Sequence, residues 1–463
     1  MLTPATSPPA AAERTPVERA IQAWLDGESI KPVLQDHLPW LSGRGLVIRR
    51  CIVDSVRYNS REKDRSRRRP FVCVAYRLDM ADALGRSLPR QLLYVEVYPR
   101  PRFWEPPAPG PGVTIVRLPE LDAIVWQFPN DPQLSHLPEV MDPERVKRYL
   151  PYDQLPAGLD GPVHAREVRA EVLRYKPETH CAARYDIAWE GDGSPPVFTL
   201  FGKTHATDRA GEIHRQIETV WEKSVAEPES FLIARVLGYA EPVRTIWQET
   251  LVGTPLLPVI GRGDCDAVLE ATGTALAILH ETRAESSVTV GIGDQLREMR
   301  TQIGALVEAY PEVLGILGPM AARMHEEAPD AAQVHAAQVH GDFIPKNLDL
   351  HEGRLLICDF DDFVIGDPVQ DVARFMVDLY FLEDRDSHLV TLRDLDPAAV
   401  QAMANVFVDA YRSRAPWEMG EEHLRWHWRV QMLAKIHYYF KRQQLRPGFE
   451  RDLHEMLALL LAA

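Results

Sequence analysis

Strand-like and helix-like segments are segregated along this chain, and that separation limits the folds it can adopt. Between about residues 46 and 126, and again between about 165 and 255, short runs rich in β-branched and aromatic residues alternate with turns. After about residue 264, apolar residues recur at helical spacing almost to the end, except around 340 to 365. Strands followed by helices, rather than a regular alternation of the two, predict an α+β fold.

Two helices are predicted from local patterns. VERAIQAWLDG, at residues 17 to 27, is short and amphipathic and is followed by a loop to residue 45. DAVLEATGTALAILHET, at 266 to 282, has helical apolar spacing, with Asp264 as the expected N-cap. Residues 142 to 170, which include DPERVKRYLP, are predicted to form a helical connector between the two strand series.

The two strand series resemble each other. IVWQFPNDPQL at 124 to 134 parallels TIWQETLVGTPL at 245 to 256, and Tyr76 parallels Tyr185. We interpret this as a duplicated sheet, with coincidence among strand-forming residues as the alternative. Lys203 of the second series then aligns near Glu96-Val97 of the first, which has no lysine there. The first series is therefore expected to be a cap without a nucleotide site.

Bulk properties exclude several classes of protein. The net charge of −15 argues against broad nucleic-acid binding, and the basic run REKDRSRRR at 61 to 69 is more typical of a solvated loop than of an anion site. The five cysteines are scattered, as expected for thiols in a reducing compartment. No apolar run approaches the roughly 18 residues that span a bilayer. Residues 1 to 16 look like a disordered Pro/Ala tail without signal-peptide features.

HGDFIPKN, at 340 to 347, has the residue types that phosphoryl transfer needs. A carboxylate must accept the proton of the attacking hydroxyl, and oxygen ligands must hold Mg²⁺. Asp342 can serve as that base, and the amide oxygen of Asn347 can turn toward a metal. RLLICDF then predicts a strand that delivers Asp359 to the same place as the main metal ligand.

This combination resembles the aminoglycoside phosphotransferase and choline kinase-like family, which has a bilobal protein-kinase-like fold. The resemblance covers roughly residues 165 to 415. It is carried by HGDFIPKN (340 to 347), CDFDD (358 to 362), GDPVQDVAR (366 to 374), LAILHET (276 to 282), FGK (201 to 203) and WQETLVGTPL (247 to 256). It implies a kinase that uses ATP, with GTP left open, and Mg²⁺ to phosphorylate a hydroxyl of a small molecule such as an aminoglycoside, a sugar or an amino alcohol.

The family's roles transfer to matching positions of this sequence. Asp342 becomes the catalytic base, Asn347 and Asp359 the Mg²⁺ ligands, and Lys203 the lysine on the nucleotide α/β-phosphates. A carboxylate on the following helix should orient that lysine, and Glu212 is favoured slightly over Glu218.

Further residues are expected to contact the nucleotide. Gln248 and Glu249 fall in the linker where backbone groups would bind adenine. RYKPETHCA, at 174 to 182, would cover the phosphates without the glycines that protein kinases use there, so Thr179 or main-chain amides would replace them. Lys346 either neutralises charge on the transferring group or faces solvent.

The remaining marked residues are expected to be structural. His340 should bond backbone near the metal-ligand strand, Asp371 should buttress the loop or cap a helix, and Asp367 should cap the turn at Pro368. Asp361 and Asp362 either touch the metal or, as is more common for such neighbours, lie behind its ligands or in solvent. The aromatic residues of WHWRVQMLAKIHYYF, at 426 to 440, are predicted to pack in the core, with some open to a substrate cleft.

Three other classes of protein share some of these features. A calcium loop fails because Phe363 occupies a ligand position. A glycosyltransferase DxD would explain DFD but leaves HGDFIPKN and FGK without a role. A pseudokinase, the same fold used as a binding or scaffold module, remains the alternative, although the lysine, the base and both metal ligands are all present.

The predicted organisation follows from these assignments. A tail (1 to 16) precedes a β-rich cap (17 to 140), a connector (141 to 164), a kinase-like N-lobe (165 to 255) and a helical C-lobe with the catalytic loop (256 to 463). The added N-terminal module is similar in architecture to maltokinase-like members of the superfamily. The expected setting is the cytoplasm, with a small-molecule acceptor and neither nucleic acid nor membrane as partner; the oligomeric state stays open.

Overall fold

A computed structural model describes most of the chain. The described residues are 22–58, 72–98, 115–156, 161, 165–189, 197–260, 265–383, 390–392, 396–444, 446 and 448–462. The predicted tail, the basic run at 61 to 69 and Asp264 lie outside them. The chain divides into two compact units, one of Met1–Asn130 with Lys441–Phe449 and one of Asp131–Phe440 with Glu450–Ala463.

The first unit contains an antiparallel five-stranded sheet. Its order is β1-β2-β3-β5-β4, formed by β1 (Val47–Tyr58), β2 (Val72–Ala81), β3 (Ser87–Val97), β4 (Ile115–Leu118) and β5 (Ala123–Gln127). Helices α1 (Gly27–His37) and α2 (Pro39–Ser42) pack apolar side chains into the same core as the sheet.

Helix α1 corrects the prediction of a loop between residues 28 and 45. Asp26 caps the helix by accepting a hydrogen bond from the Glu28 amide at 3.1 Å. Ile30 and Leu34 are one turn apart and fully buried, so their burial outweighs the breaking tendency of Pro32 within the helix.

The second unit begins with short helical turns and a second antiparallel sheet of the same strand order. After α3 (Leu137–Val140) come β6 (Ala165–Lys176), β7 (His180–Trp189), β8 (Val197–His205), β9 (Val236–Ala240) and β10 (Thr245–Glu249), in the order β6-β7-β8-β10-β9. Helix α4 (Ala210–Ala226) joins β8 to β9. Within the helical connector expected for 142 to 170, the described residues form two 3₁₀ turns, Val146–Tyr149 and Tyr152–Gln154, and β6 begins at Ala165, so the prediction is wrong for the residues after 164.

Strand registers allow the two sheets to be compared residue by residue. Lys203 pairs with Ala182, three residues before Tyr185, and Glu96 pairs with Cys73, three residues before Tyr76. Glu96 therefore stands where Lys203 stands in the second sheet. It is buried and accepts a hydrogen bond from the Trp126 indole at 3.1 Å. The two sheets have the strand order that a duplication requires.

The rest of the second unit is mostly helical, so the predicted α+β fold is confirmed. Its helices are α5 (Leu256–Ile260), α6 (Asp266–His280), α7 (Ile292–Ala309), α8 (Leu314–Glu326), α9 (Val369–Asp378), α10 (Pro397–Arg414), α11 (Glu421–Gln443) and α12 (Phe449–Ala462). The apolar stripe expected for 266 to 282 is buried in α6. None of the helices in the described ranges is both long and apolar enough to cross a membrane.

Short strands interrupt these helices and position the catalytic loop. They are β11 (Thr254–Pro255), β12 (Thr289–Val290), β13 (Ala337–Val339), β14 (Leu348–His351), β15 (Arg354–Ile357), β16 (Val364–Gly366), β17 (Phe381–Glu383) and β18 (Val390–Leu392). HGDFIPKN connects β13 to the hairpin β14–β15, and CDFDD connects that hairpin to β16.

Candidate active site

The loop HGDFIPKN folds back on itself through Asn347. The Asn347 amide nitrogen donates to the backbone oxygen of Asp342 at 2.9 Å and to its Oδ2 at 3.0 Å. Because the nitrogen is used in this way, the amide oxygen is the atom that Asn347 can offer to a cation. The structure thus brings the predicted base and one predicted metal ligand together.

A second contact joins this loop to the strand that carries Asp359. The Cys358 amide donates to the Asn347 backbone oxygen at 3.0 Å. Asp359 itself has a φ of +69°, a left-handed conformation that few residues other than glycine adopt. Such conformations persist where the surroundings enforce them, and they cluster at functional sites.

Asp371 fixes the backbone at the start of the loop HGDFIPKN. Its fully buried carboxylate accepts hydrogen bonds from the backbone amides of His340 at 2.6 Å and Gly341 at 3.0 Å, and lies 3.1 Å from His280 Nε2. The buttressing role predicted for Asp371 is therefore confirmed. So is the backbone contact predicted for His340, whose Nε2 lies 3.1 Å from the Cys358 oxygen.

Gly341 is required by both conformation and space. Its φ is +75°, and a Cβ at this position would lie 2.4 Å from the backbone oxygen of Asp362. Any side chain would push the catalytic loop away from the CDFDD segment.

Arg374 is the principal residue of this site that the sequence reasoning missed. Its Nη2 donates to Asp342 Oδ1 at 2.7 Å, and its Nη1 lies 3.3 Å from the Gln431 side-chain oxygen. Burial raises the pKa of Asp342, but Arg374, His340 and Asn347 outweigh it, so the pKa lies below its ordinary value. The carboxylate is thus ionised and oriented. Arg374 ends the motif GDPVQDVAR and lies one helical turn after Asp371, a spacing that could have indicated it.

Lys203 reaches the metal-ligand segment directly. Its Nζ lies 2.6 Å from Asp359 Oδ1 and 2.8 Å from Asp361 Oδ1. Burial lowers the pKa of Lys203, but the two carboxylates outweigh it and the net shift is upward. Burial likewise raises the pKa of Asp361, and Lys203 with two histidines brings it well below the usual range. The lysine is therefore a fixed cation at the place where phosphates are predicted to bind.

The histidines beside Asp361 are His180 and His205, neighbours on β7 and β8. Nδ1 of His180 lies 3.2 Å and Nδ1 of His205 lies 4.0 Å from Asp361 Oδ2. Both imidazoles are buried, and burial lowers the pKa of each. Asp361 therefore connects β7 and β8, which carry His180 and Lys203, to the segment that contains Asp359. Its position in the sequence did not indicate this role.

The predicted pairing of Lys203 with Glu212 or Glu218 is wrong in this structure. Glu212, in the first turn of α4, accepts hydrogen bonds from the Ser287 amide at 3.0 Å and from Arg209 at 3.3 Å. Glu218 lies 3.5 Å from His214 on its own helix. Asp359 and Asp361 occupy the contacts of the Lys203 ammonium group. Glu212 and Glu218 on α4 therefore contact other residues.

Three of the other predicted nucleotide residues contact backbone atoms. Gln248 donates to the Ala234 oxygen at 3.1 Å, and Glu249 accepts from the Arg235 amide at 2.9 Å, so both secure the end of β10. Thr179 lies in the β6–β7 turn, with its hydroxyl 3.3 Å from the Pro177 oxygen. Lys346 is half-buried in the 3₁₀ turn Pro345–Asn347. Their predicted roles stay predictions.

Two further structural predictions are confirmed. Asp367 caps the turn at Pro368, because its Oδ1 accepts a hydrogen bond from the Val369 amide at 3.0 Å. Most aromatic residues of the 426 to 440 stretch are buried as core: Trp426, Trp428, Tyr439 and Phe440.

A family match over residues 184 to 417 identifies the class of the protein. The phosphotransferase enzyme family matches residues 184 to 417, just over half of the 463-residue chain. The chain belongs to that family. Comparison with curated proteins gave no match.

Several solved structures are similar to the chain at low identity. A choline kinase from Cryptosporidium parvum Iowa II is 12% identical, with a TM-score of 0.41, over 64% of this chain and 88% of its own. The ADP-bound aminoglycoside phosphotransferase APH(2'')-Ib is 17% identical, with a TM-score of 0.41, over 63% and 92%. The streptomycin–ATP complex of APH(2'')-IIa is 16% identical, with a TM-score of 0.37, over 64% and 91%. The family assignment rests on the sequence match, and the similarity of the N-terminal module to maltokinase-like members stays a prediction.

Proposed function

We propose that this protein transfers the γ-phosphoryl group of ATP to a hydroxyl of a small molecule, with Mg²⁺. The observation that carries the proposal is the connection through Asn347. Its side chain holds the carboxylate of Asp342, while its backbone oxygen binds the amide of Cys358, next to Asp359. A base and a metal-ligand segment are thereby held in one hydrogen-bonded unit, with Lys203 on the metal-ligand side.

The donor set fits Mg²⁺. The Asp359 carboxylate and the Asn347 amide offer the oxygen atoms that Mg²⁺ prefers, and neither sulfur nor imidazole is among them. These two residues would hold the ion, whose charge would offset that of the phosphates when bound.

Asp342 has the central role in the reaction. A bond forms between the acceptor oxygen and the γ-phosphorus, and the bond from that phosphorus to the bridging oxygen of the departing ADP breaks. The hydroxyl proton passes to the Asp342 carboxylate. Because Arg374 and Asn347 each hold one oxygen of that carboxylate, its orientation toward the acceptor is set before the acceptor binds.

The acceptor is assigned only by chemical class. Aminoglycosides, sugars and amino alcohols all present a primary or secondary hydroxyl of the kind that a carboxylate base can orient. GTP carries the same triphosphate and is the alternative phosphoryl donor.

A turnover assay tests this proposal. The wild type is incubated with Mg-ATP and a panel of aminoglycosides, sugars and amino alcohols, and Asp342→Asn is compared with it. We expect phosphorylation of at least one acceptor class, and a loss of about 10³-fold or more in Asp342→Asn with nucleotide binding retained. Nucleotide binding without turnover in either protein would instead favour the scaffold alternative. Unchanged turnover in Asp342→Asn would overturn the assignment of the base.

A further inference from the structure

Three side chains that the proposed reaction does not use converge at the start of α9. His423 and His427 lie one turn apart on α11, so both imidazoles project from the same face of that helix. Their Nε2 atoms lie 2.6 Å and 2.7 Å from the same oxygen of Asp367, Oδ2. His427 and Asp367 are buried, and His423 is partly exposed.

We propose that Asp367, His423 and His427 form a site for a divalent transition-metal ion, with Zn²⁺ as the preferred occupant. The ligand atoms of the three residues all lie within 4.8 Å of one another. Two histidines at i and i+4 on a helix, with a carboxylate from another element, form a donor set that binds zinc in proteins.

The capping role of Asp367 does not account for the two histidines. The cap uses Oδ1, which accepts the Val369 amide, and leaves Oδ2 to the imidazoles. His427 is fully buried, and its Nδ1 has no hydrogen-bond partner among the residues that the structure describes. Nε2, the atom within hydrogen-bonding distance of Asp367, is therefore the ring nitrogen that His427 would offer to the ion.

The chemistry of the donors selects the ion. Imidazole nitrogen with one carboxylate suits Zn²⁺ and its first-row neighbours, whereas Mg²⁺ and Ca²⁺ prefer oxygen alone. Zinc bonds of about 2.0–2.2 Å in a tetrahedron require ligand atoms roughly 3.3–3.5 Å apart. The present separations of 2.6 Å and 2.7 Å need to open by less than about 1 Å, which small side-chain rotations provide.

The site would connect α11 to the beginning of α9. Further along the same two helices, Gln431 contacts Arg374 and Lys435 contacts Asp378, so the pairing of the helices continues away from the cluster. With three protein ligands, a fourth position stays open to water on the side of the partly exposed His423. The site is separate in composition from the Asn347–Asp359 pair, whose donors are oxygen atoms only.

Metal content and cobalt spectroscopy test the site without any assay of activity. The purified full-length chain is treated with chelator and titrated with Co²⁺, then with Zn²⁺. We expect one equivalent of Co²⁺ to give the visible absorption of a four-coordinate nitrogen–oxygen site, and Zn²⁺ to displace it. One equivalent of zinc should remain after desalting and raise the unfolding midpoint.

Matched variants identify the ligands. His423→Gln changes the partly exposed ligand, so the fold should persist while zinc affinity falls by at least about 10-fold. His454→Gln removes an exposed histidine of α12 and should bind zinc like the wild type. Asp359→Asn should also retain the zinc, because Asp359 is not among the three proposed zinc ligands. Absence of a stoichiometric cobalt spectrum in the wild type, or equal zinc affinity in His423→Gln, would overturn the proposal.

Discussion

Arg374 Nη2 donates to Asp342 Oδ1 at 2.7 Å, while Asn347 Nδ2 lies 3.0 Å from Oδ2 of the same carboxylate. Each oxygen of the proposed base therefore has its own donor, one from the loop and one from α9. The guanidinium of Arg374 supplies both a charge and a direction, because its planar fork cannot rotate without losing the contact. We regard Arg374 as a positioning residue that acts through Asp342.

Replacing Arg374 with Lys should separate these two contributions. The ammonium group keeps the charge but not the fork, so we expect kcat to fall by about 10²-fold with a much smaller change in the KM for nucleotide. Steady-state kinetics with the acceptor found in the turnover assay measures both. A shift confined to KM would contradict the positioning role.

The control for Arg374→Lys is Arg323→Lys. Arg323 forms an exposed pair with Glu327 at 2.7 Å and has no assigned role in the site. Exposed pairs contribute about 0–1 kcal/mol, so this variant should match the wild type in kinetics and in stability. Urea unfolding of both variants shows whether a lower rate reflects loss of folded protein.

Lys203→Ala should expose the two carboxylates that Lys203 now neutralises. We expect nucleotide affinity to fall by at least about 10-fold, because the phosphates lose a charged partner. We also expect Mg²⁺ to raise the melting temperature more in Lys203→Ala than in the wild type, since Asp359 and Asp361 are then left without their counter-ion. Calorimetric titration and thermal melts test the two parts separately.

Lys223→Ala is the matched control for this change. Lys223 also pairs with carboxylates, Glu227 and Glu281, but on the far end of α4. Its removal should leave both nucleotide affinity and the response to Mg²⁺ unchanged. Equal Mg²⁺ responses in Lys203→Ala and the wild type would show that the ammonium group does not screen the metal ligands.

The local chemistry of the site was predictable, and its long-range partners were not. Asp342, Asn347 and Asp359 were proposed from the resemblance of HGDFIPKN and CDFDD to the family, and the structure places Asn347 at 3.0 Å from the Asp342 carboxylate. Their catalytic roles stay predictions. Lys203 meets Asp359 across 156 residues, and Arg374 meets Asp342 across 32. The choice of Asp361 over Glu212 as the partner of Lys203 depends on how the sheet and loop pack, which no local pattern contains.

In the fold, too, local patterns were predictable from the sequence and tertiary contacts were not. The strand series and the apolar stripe of α6 follow from periodicity, which reports the buried face of each element. Helix α1 was missed because Gly27 and Pro32 are typical of helix ends and breaks. Burial of Ile30 and Leu34 in the core of the sheet is a tertiary effect that overrides those local preferences.

Acidification should destabilise the protein through His205. Burial lowers its pKa from 6.5 to about 4. Between these two values the unfolded chain binds a proton that the folded chain does not, so stability is complete above about pH 6.5 and falls as the pH drops toward 4. Once the pH is below both pKa values, the free energy of unfolding has fallen by about 3 kcal/mol through His205. Urea unfolding across this range should show a shallower loss in His205→Phe than in the wild type.

The comparison for His205→Phe is again an exposed histidine. His454→Gln should lose stability on acidification as steeply as the wild type, because His454 is exposed and lies outside the buried cluster of His205. Parallel curves for His205→Phe and the wild type would rule out His205 as a source of the acid sensitivity.

Gly341→Ala should be strongly destabilising, in contrast to Gly304→Ala. At Gly341 a methyl group would meet the Asp362 backbone oxygen at 2.4 Å with φ at +75°, so we expect a loss of about 1–3 kcal/mol or more. At Gly304, within α7, a Cβ meets nothing within 4 Å, and alanine should stabilise the helix by about 0.5–1 kcal/mol. Urea midpoints of the two variants should therefore move in opposite directions. Movement in the same direction would mean that the close approach of Gly341 to Asp362 does not constrain the catalytic loop.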